Sequence, residues 1–257
     1  MSEYSLNVCH LYPDVLNLYG DTGNIICLQD RMKWRGIGCE VDGLSVGDKL
    51  NAGDYDIFFI GGGQDFEQEV LLKDADENKK DDIFSAIDDE KVFLAICGGY
   101  QILGKYYKTW DGKQYDFLGA LDLYTEGSET RMIGNYMYEC DPLDGEVIVG
   151  FENHSGKTFL GDGCTPIGKV LRGSGNNGED GMEGCHYKNV FGCYTHGPCL
   201  PKNPKFCDLL IETALKRKYG DAISLEDFPA VDDTFEKNAH DYMVKRLSKA
   251  NADDPSR

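Results

Sequence analysis

The sequence predicts an α/β fold with a central, mainly parallel sheet, and three observations carry that expectation. Short apolar runs at residues 6–11, 55–60 and 92–96 read as buried strands. Segments of helical character separate them: residues 24–34, and an acidic stretch ending near Asp89. The length, 257 residues, suffices for one large domain with a buried core. Strands alternating with helices imply parallel βαβ units joined by right-handed crossovers.

The elements follow in order. After the third strand, the texture of residues 116–194 changes to glycine-rich turns and shorter apolar runs. We read this stretch as mixed sheet and functional loops rather than a second domain. A short strand at 190–194 closes it. Helices are expected at 206–219 and 232–248, and the polar end, 251–257, is expected to fray. The chain thus divides into a main domain, residues 1–220, and a C-terminal helical extension, 221–257.

Composition narrows the class. Net charge is −19, and an acidic surface repels phosphate backbones and anionic lipid heads, which argues against nucleic-acid or membrane binding. No apolar run approaches the roughly 18 residues of a membrane span. The first residues show no basic segment followed by an apolar one, so no signal peptide is expected, and the expected location is cytoplasmic. Ten cysteines contain no CxxC pair; in a chain this long most are expected to be buried thiols acting as small hydrophobes.

The strongest chemical signal is KVFLAICGGYQILG, residues 91–104. A buried strand turns sharply at Cys97 into a helix, which is the layout of a nucleophile elbow. Ala95, Gly98 and Gly99 supply the small neighbours such a turn needs. The helix start places positive partial charge beside the sulfur, and the Gly98 N–H can receive a developing oxyanion. The plainer reading is a buried structural cysteine before a Gly-Gly turn. A second strand ends in Gly61, Gly62 and Gly63, on the same carboxyl-end side of a parallel sheet. A third, in NVFGCYTHGPCL, delivers His196 into a Gly-Pro turn. Cys97 and His196 can pair only through the fold, as is usual for cysteine catalysis.

Two other motifs compete. NHSGKT, residues 153–158, ends like a phosphate-binding loop, but Phe151 stands where the loop's first glycine belongs, and FLGDGCTPIG is a poor helix. Cys185, His186, Cys193, His196 and Cys199 could suggest zinc, yet they offer no second clean ligand knuckle. No metal site is expected.

Taken together, AICGGYQILG, LYPDVLNLYGDTGNI, GFENHSGKT, GSGNNGEDGMEG and YTHGP resemble the CobB/CobQ-like branch of the class I glutamine amidotransferases, over about residues 7–219. The resemblance implies a three-layer, flavodoxin-like sandwich. It implies Cys97 as nucleophile and His196 as acid and base in hydrolysis of L-glutamine through a thioester. Arg131, in SETRMIGN, falls where the family binds the substrate, and a guanidinium suits its α-carboxylate. Gln101 resembles a glutamine that helps hold substrate, and Gly62 or Gly63 would give the second oxyanion N–H beside Gly98. Many class I members carry a glutamate two residues after the histidine. Here that residue is Pro198, so the group orienting His196 is open.

The motifs further resemble glutaminase subunits that form a heterodimer with a MurT-like Mur ligase subunit. Ammonia would then amidate the D-glutamate α-carboxylate of lipid II, in peptidoglycan biosynthesis, with ATP bound on the partner and no cofactor in this chain. Alternatives are a subunit of another ammonia-transferring synthetase, a cysteine peptidase, or a non-catalytic scaffold that keeps the fold.

Overall fold

A computed structural model describes residues 3–63 and 69–249. Six strands make the first sheet: β1 (Ser5–Leu11), β2 (Gly38–Leu44), β3 (Ile57–Ile60), β4 (Val92–Ile96), and, from the far end of the chain, β11 (Cys185–Tyr187) and β12 (Val190–Cys193). Their order is β11-β12-β4-β3-β1-β2, parallel throughout except for β11. Every side chain of β3, β4 and β12 is buried, which is why these strands read as unbroken apolar runs rather than alternating ones.

Helix α1 (Thr22–Trp34) links β1 to β2, whereas α2 (Glu69–Asn78) and α3 (Lys80–Asp88) link β3 to β4 in the opposite direction along the sheet. Right-handed crossovers running in opposite directions put their helices on opposite faces, which gives three layers. The reversal falls between β1 and β3. In open parallel sheets a crevice opens there, beyond the strands' carboxyl ends.

Helix α1 is held where its first turn meets that crevice. Ile25, Leu28 and Met32 bury one stripe at helical spacing. Arg31, 2% exposed, donates to Asp208 at 2.8 and 2.9 Å and to Asp233 at 2.5 Å, and Arg35 adds a third bond to Asp208 at 2.8 Å. Asp208 lies on α5 (Pro204–Tyr219), so the network clamps α1 to the helix that follows β12.

The mixed sheet expected over residues 116–194 is divided: most of it builds a second sheet, while β11 and β12 join the first. The core of the second sheet is a long antiparallel hairpin, β7 (Leu123–Cys140) with β8 (Glu146–Leu160), extended by β9 (Gly168–Arg172) and β10 (Met182–Glu183) on one side. Strands β5 (Tyr106–Lys108) and β6 (Gln114–Asp116) extend it on the other. Short α4 (Gly98–Ile102) leads out of the first sheet toward it. The two sheets meet at one bridge, where His196 N donates to Phe151 O at 2.8 Å and Phe151 N to His196 O at 3.3 Å. Helix α6 (Thr234–Lys249) packs Leu247 on Met137 and Val149 of the hairpin. The expected frayed end, 251–257, lies outside the described residues. No described helix is long and apolar enough to cross a membrane.

Candidate active site

The segments that leave the carboxyl ends of β1, β3, β4 and β12 converge. Cys97, directly after β4, has φ 49° and ψ −104°, a conformation an L side chain adopts only under strain. Its N–H donates to Cys193 O at 2.8 Å, and Gly99 N donates to Gly61 O at 3.1 Å, so both neighbouring strands brace the elbow. Helix α4 has only five residues. It therefore offers the sulfur the local N–H groups of its first turn, beginning at Gly98, rather than the summed dipole of a long helix.

His196 is fully buried three residues past β12. Burial alone would lower its pKa. The nearby Cys97 sulfur and Asp21 carboxylate outweigh burial and raise it to about 10, so the ring is an imidazolium at neutral pH. Asp21 is the carboxylate that faces the histidine. Its Oδ1 lies 3.6 Å from His196 Nδ1, and its Oδ2 accepts the Gly62 N–H at 2.7 Å. An aspartate at a helix N-cap ordinarily accepts an N–H of its own first turn. Asp21 is the N-cap of α1 and makes no such bond. Asn17 accepts the Thr22 N–H at 2.9 Å instead, which leaves the Asp21 carboxylate free to face the histidine.

Pro198, where many class I members carry a glutamate, packs against α1. A Cβ on Gly23 would stand 2.5 Å from Pro198 Cγ, so the proline packs directly on the first turn of α1 and brings Asp21 to His196. Gly62 is equally constrained: a Cβ there would lie 2.5 Å from His196 Cε1 and 3.4 Å from Cys97 Cβ. The sequence did contain Asp21, inside LYPDVLNLYGDTGNI, but at a helix start it looks like an ordinary cap. Only the turned-away side chain separates the two roles.

The remaining sequence-predicted residues fall around this centre. Gln101 is buried and its Nε2 donates to Tyr194 Oη at 2.9 Å. Arg131 is exposed on β7 and bonds through Nε to Asn153 Oδ1, while Asn153 donates to Tyr19 Oη. The Tyr19 ring packs edge-on against His196, 4.8 Å between centroids, so Arg131 belongs to the same mouth. Gly62 borders the pair and its N–H is engaged by Asp21, whereas a Cβ on Gly63 would meet Leu16 Cδ2 at 2.5 Å.

The competing motifs resolve differently. NHSGKT lies wholly within strand β8, which turns neither into a loop nor into a helix. The cysteine/histidine group does not converge: Cys185 lies against Cys164, Cys193 against Cys199, the His186 ring stacks on Phe191, and His196 faces Cys97 and Asp21.

A strained cysteine elbow, a buried histidine and a carboxylate beside it, at the switch point of a parallel sheet, are an arrangement that can support thiol-dependent hydrolysis or acyl transfer. The chain belongs to the CobB/CobQ-like glutamine amidotransferase family, whose domain model matches residues 7–204. Among curated relatives, the lipid II isoglutaminyl synthase (glutamine-hydrolyzing) subunit GatD of Streptococcus pneumoniae is 44% identical over 248 residues, covering 96% of this chain and 94% of that protein. The subunit of the same name from Staphylococcus aureus is 46% identical over 215 residues, covering 84% and 86%. Of solved structures, a glutamine amidotransferase from Thermotoga maritima matches with TM-score 0.54 at 17% identity, covering 95% of this chain and 99% of that one. The glutaminase domain of a Trypanosoma brucei CTPS matches with TM-score 0.51 at 9% identity, covering 83% and 95%. These two likenesses concern the fold.

Proposed function

We propose that this chain is the glutamine-hydrolysing subunit of a lipid II isoglutaminyl synthase. The single observation that carries the reading is the buried Cys97–His196–Asp21 line, with Asp21 3.6 Å from His196, in a chain so similar along its length to subunits of that name. The Cys97 thiolate attacks the side-chain carboxamide of L-glutamine, forming a C–S bond. The tetrahedral oxyanion is received by the N–H groups of Gly98 and of the 61–63 turn. Of the two glycines expected there, Gly63 is the better donor, because Gly62 holds Asp21. Each such donor is worth about 3–4 kcal/mol of barrier. His196 gives its proton to the departing nitrogen, the C–N bond breaks, and ammonia leaves a γ-glutamyl thioester. The neutral imidazole then takes a proton from water, which attacks the thioester, and glutamate is released with Cys97 restored.

Arg131 binds the substrate α-carboxylate, and Gln101 lines the pocket. Replacing Arg131 with alanine is expected to raise KM about 10- to 100-fold with a smaller change in kcat, as loss of one charge-assisted contact implies. Steady-state kinetics over a wide glutamine range check it. The partner is a MurT-like Mur ligase subunit that binds ATP and the lipid II acceptor, in a cytoplasmic heterodimer, and this chain needs no cofactor. The test is glutamate release from glutamine by this chain alone and with that ligase, with isoglutamine formation followed in parallel. Stimulation of both by the pair supports the reading. Glutamate release that the ligase neither enhances nor couples to amidation counts against it.

A further inference from the structure

Past Cys193, the strand that delivers His196 loses its ladder on one side. Strand β12 pairs with β11 in antiparallel register, Cys185 opposite Gly192, and the next rung would set Glu183 opposite Tyr194. Gly184 prevents it. Its φ is 60°, and a Cβ there would stand 2.2 Å from Gly192 O, so the chain turns away one residue early. The Glu183 backbone joins the second sheet instead, opposite Gly168 of β9, and its carbonyl accepts Ile167 N–H at 2.9 Å. Cys193 O accepts Cys97 N–H on the β4 side, so the Tyr194 N–H of the same planar peptide points the other way, where no strand meets it.

Glu183 supplies the missing acceptor from its side chain: Oε1 takes the Tyr194 N–H at 2.7 Å. The next residues are gripped from the same sheet. Thr195 Oγ1 lies 2.6 Å from Tyr136 Oη of β7, which also donates to Glu183 Oε1 at 3.3 Å, and His196 closes its bridge with Phe151. Glu183 is fully buried. The titratable groups that face it are Cys193 and Tyr194, Tyr136 and Tyr138 of β7, Glu152 of β8 and Tyr100 of α4, and none is a cation. Burial first, then Cys193, holds its carboxyl well above the usual carboxylate range, so it is a neutral acid at pH 7. A neutral acid accepts through one oxygen and carries its hydrogen on the other, and Oε2 is the oxygen with no partner among the described residues.

We propose that Glu183 is a positioning residue for the glutaminase: by accepting the Tyr194 N–H it fixes residues 194–196, and with them the place of the His196 ring beside Cys97. The inference rests on the glutaminase reading and adds to it a residue that touches neither substrate nor sulfur. Without this acceptor a buried N–H is unpaired, and the peptide two residues before the histidine turns to find another. A displacement of about 1 Å at a catalytic group can cost roughly 100-fold in rate, so a small movement suffices.

The test is kcat and KM for L-glutamine in three variants, with kcat expressed per Cys97 that 6-diazo-5-oxo-L-norleucine labels. Glu183→Leu fills the space but has no acceptor. Its kcat per labelled site is expected to fall about tenfold or more, with KM changed less than about threefold because the residue meets no substrate. Glu183→Gln presents the same acceptor on an uncharged group and is expected to stay within about threefold of wild type. Tyr136→Phe keeps the ring but loses the hydroxyl bonds to Thr195 and Glu183; it is expected to lower kcat about threefold and serves if Glu183→Leu fails to fold. A merely structural role would lower Tm and the labelled fraction and leave kcat per labelled site unchanged. That result in the leucine variant, or in Tyr136→Phe where it alone folds, overturns the proposal, as does a glutamine variant that falls as far as the leucine one. A second arm needs no turnover. Alkylation of Cys97 by iodoacetamide depends on the imidazolium beside the sulfur, and its rate is expected to fall about threefold or more in Glu183→Leu and to hold in Glu183→Gln. Wild type that releases no glutamate removes the glutaminase reading instead. The alkylation arm then decides the positioning role alone, and equal rates in wild type and both variants overturn it.

Discussion

Cys97→Ala is expected to abolish glutamate release, with a loss of about 10⁴-fold or more, because no other group can form the thioester. The more informative companion is Cys97→Gly. With φ 49° and ψ −104°, the position is strained for any residue with a Cβ, at a cost of about 1–3 kcal/mol. Alanine keeps that strain and glycine relieves it. The glycine variant is therefore expected to be the more stable of the two by about 1 kcal/mol, against the usual order, in which glycine costs chain entropy. Urea denaturation of the two inactive proteins measures the difference. An alanine variant as stable as the glycine one, or more so, would show that the elbow stores no strain.

Asp21→Asn is expected to leave the protein folded while lowering kcat about 10²- to 10⁴-fold, the range set by losing the carboxylate that orients a catalytic histidine. The pH dependence separates this role from simple capping. The His196 pKa is raised to about 10, so the imidazolium that protonates the leaving nitrogen persists through neutral pH and is lost as pH rises through that value. Wild-type kcat/KM, which reports the free enzyme, is therefore expected to fall on the alkaline side near pH 10. Removing the Asp21 charge takes away part of what raises the pKa, so the alkaline limb should move to lower pH. Stability follows the same sign. The contribution of protonated His196 is fully present below the ordinary histidine pKa of about 6.5 and is lost as pH rises through about 10. Asp21→Asn should weaken that alkaline loss. A normal pH profile with reduced kcat would assign Asp21 to holding the Gly62 turn, its other contact.

What the sequence made legible, and what it did not, follows from the range of each signal. The buried strands β3, β4 and β12 are continuous apolar runs, and α1 and α5 carry helical stripes, so local pattern sufficed for these elements. Strand β2 was missed because GCEVDGL is an edge strand interrupted by Glu40 and Asp42, with no buried side chain to mark it. The β7–β8 stretch read as mixed sheet with loops, not as one long hairpin, because its glycines and a register shift between Gly127 and Met132 break the alternation that identifies a strand. At the site, Cys97 stood out through a local turn. Asp21 did not, because its partner is 175 residues away and its local setting is that of a cap. Residues 152–158 overlap NHSGKT, first weighed as a phosphate loop. Their alternation along β8, buried at 152, 154, 156 and 158, identifies those four as inward-facing strand residues.

The most direct test of the central claim is to quench the protein in acid during turnover of L-glutamine and measure its intact mass, with peptide mapping. The account predicts a single γ-glutamyl adduct, labile to hydroxylamine and mapped to Cys97, that accumulates further in His196→Ala if acylation outlives deacylation and is absent from Cys97→Ala. Glutamate formation without any adduct, or an adduct on another cysteine, would contradict it.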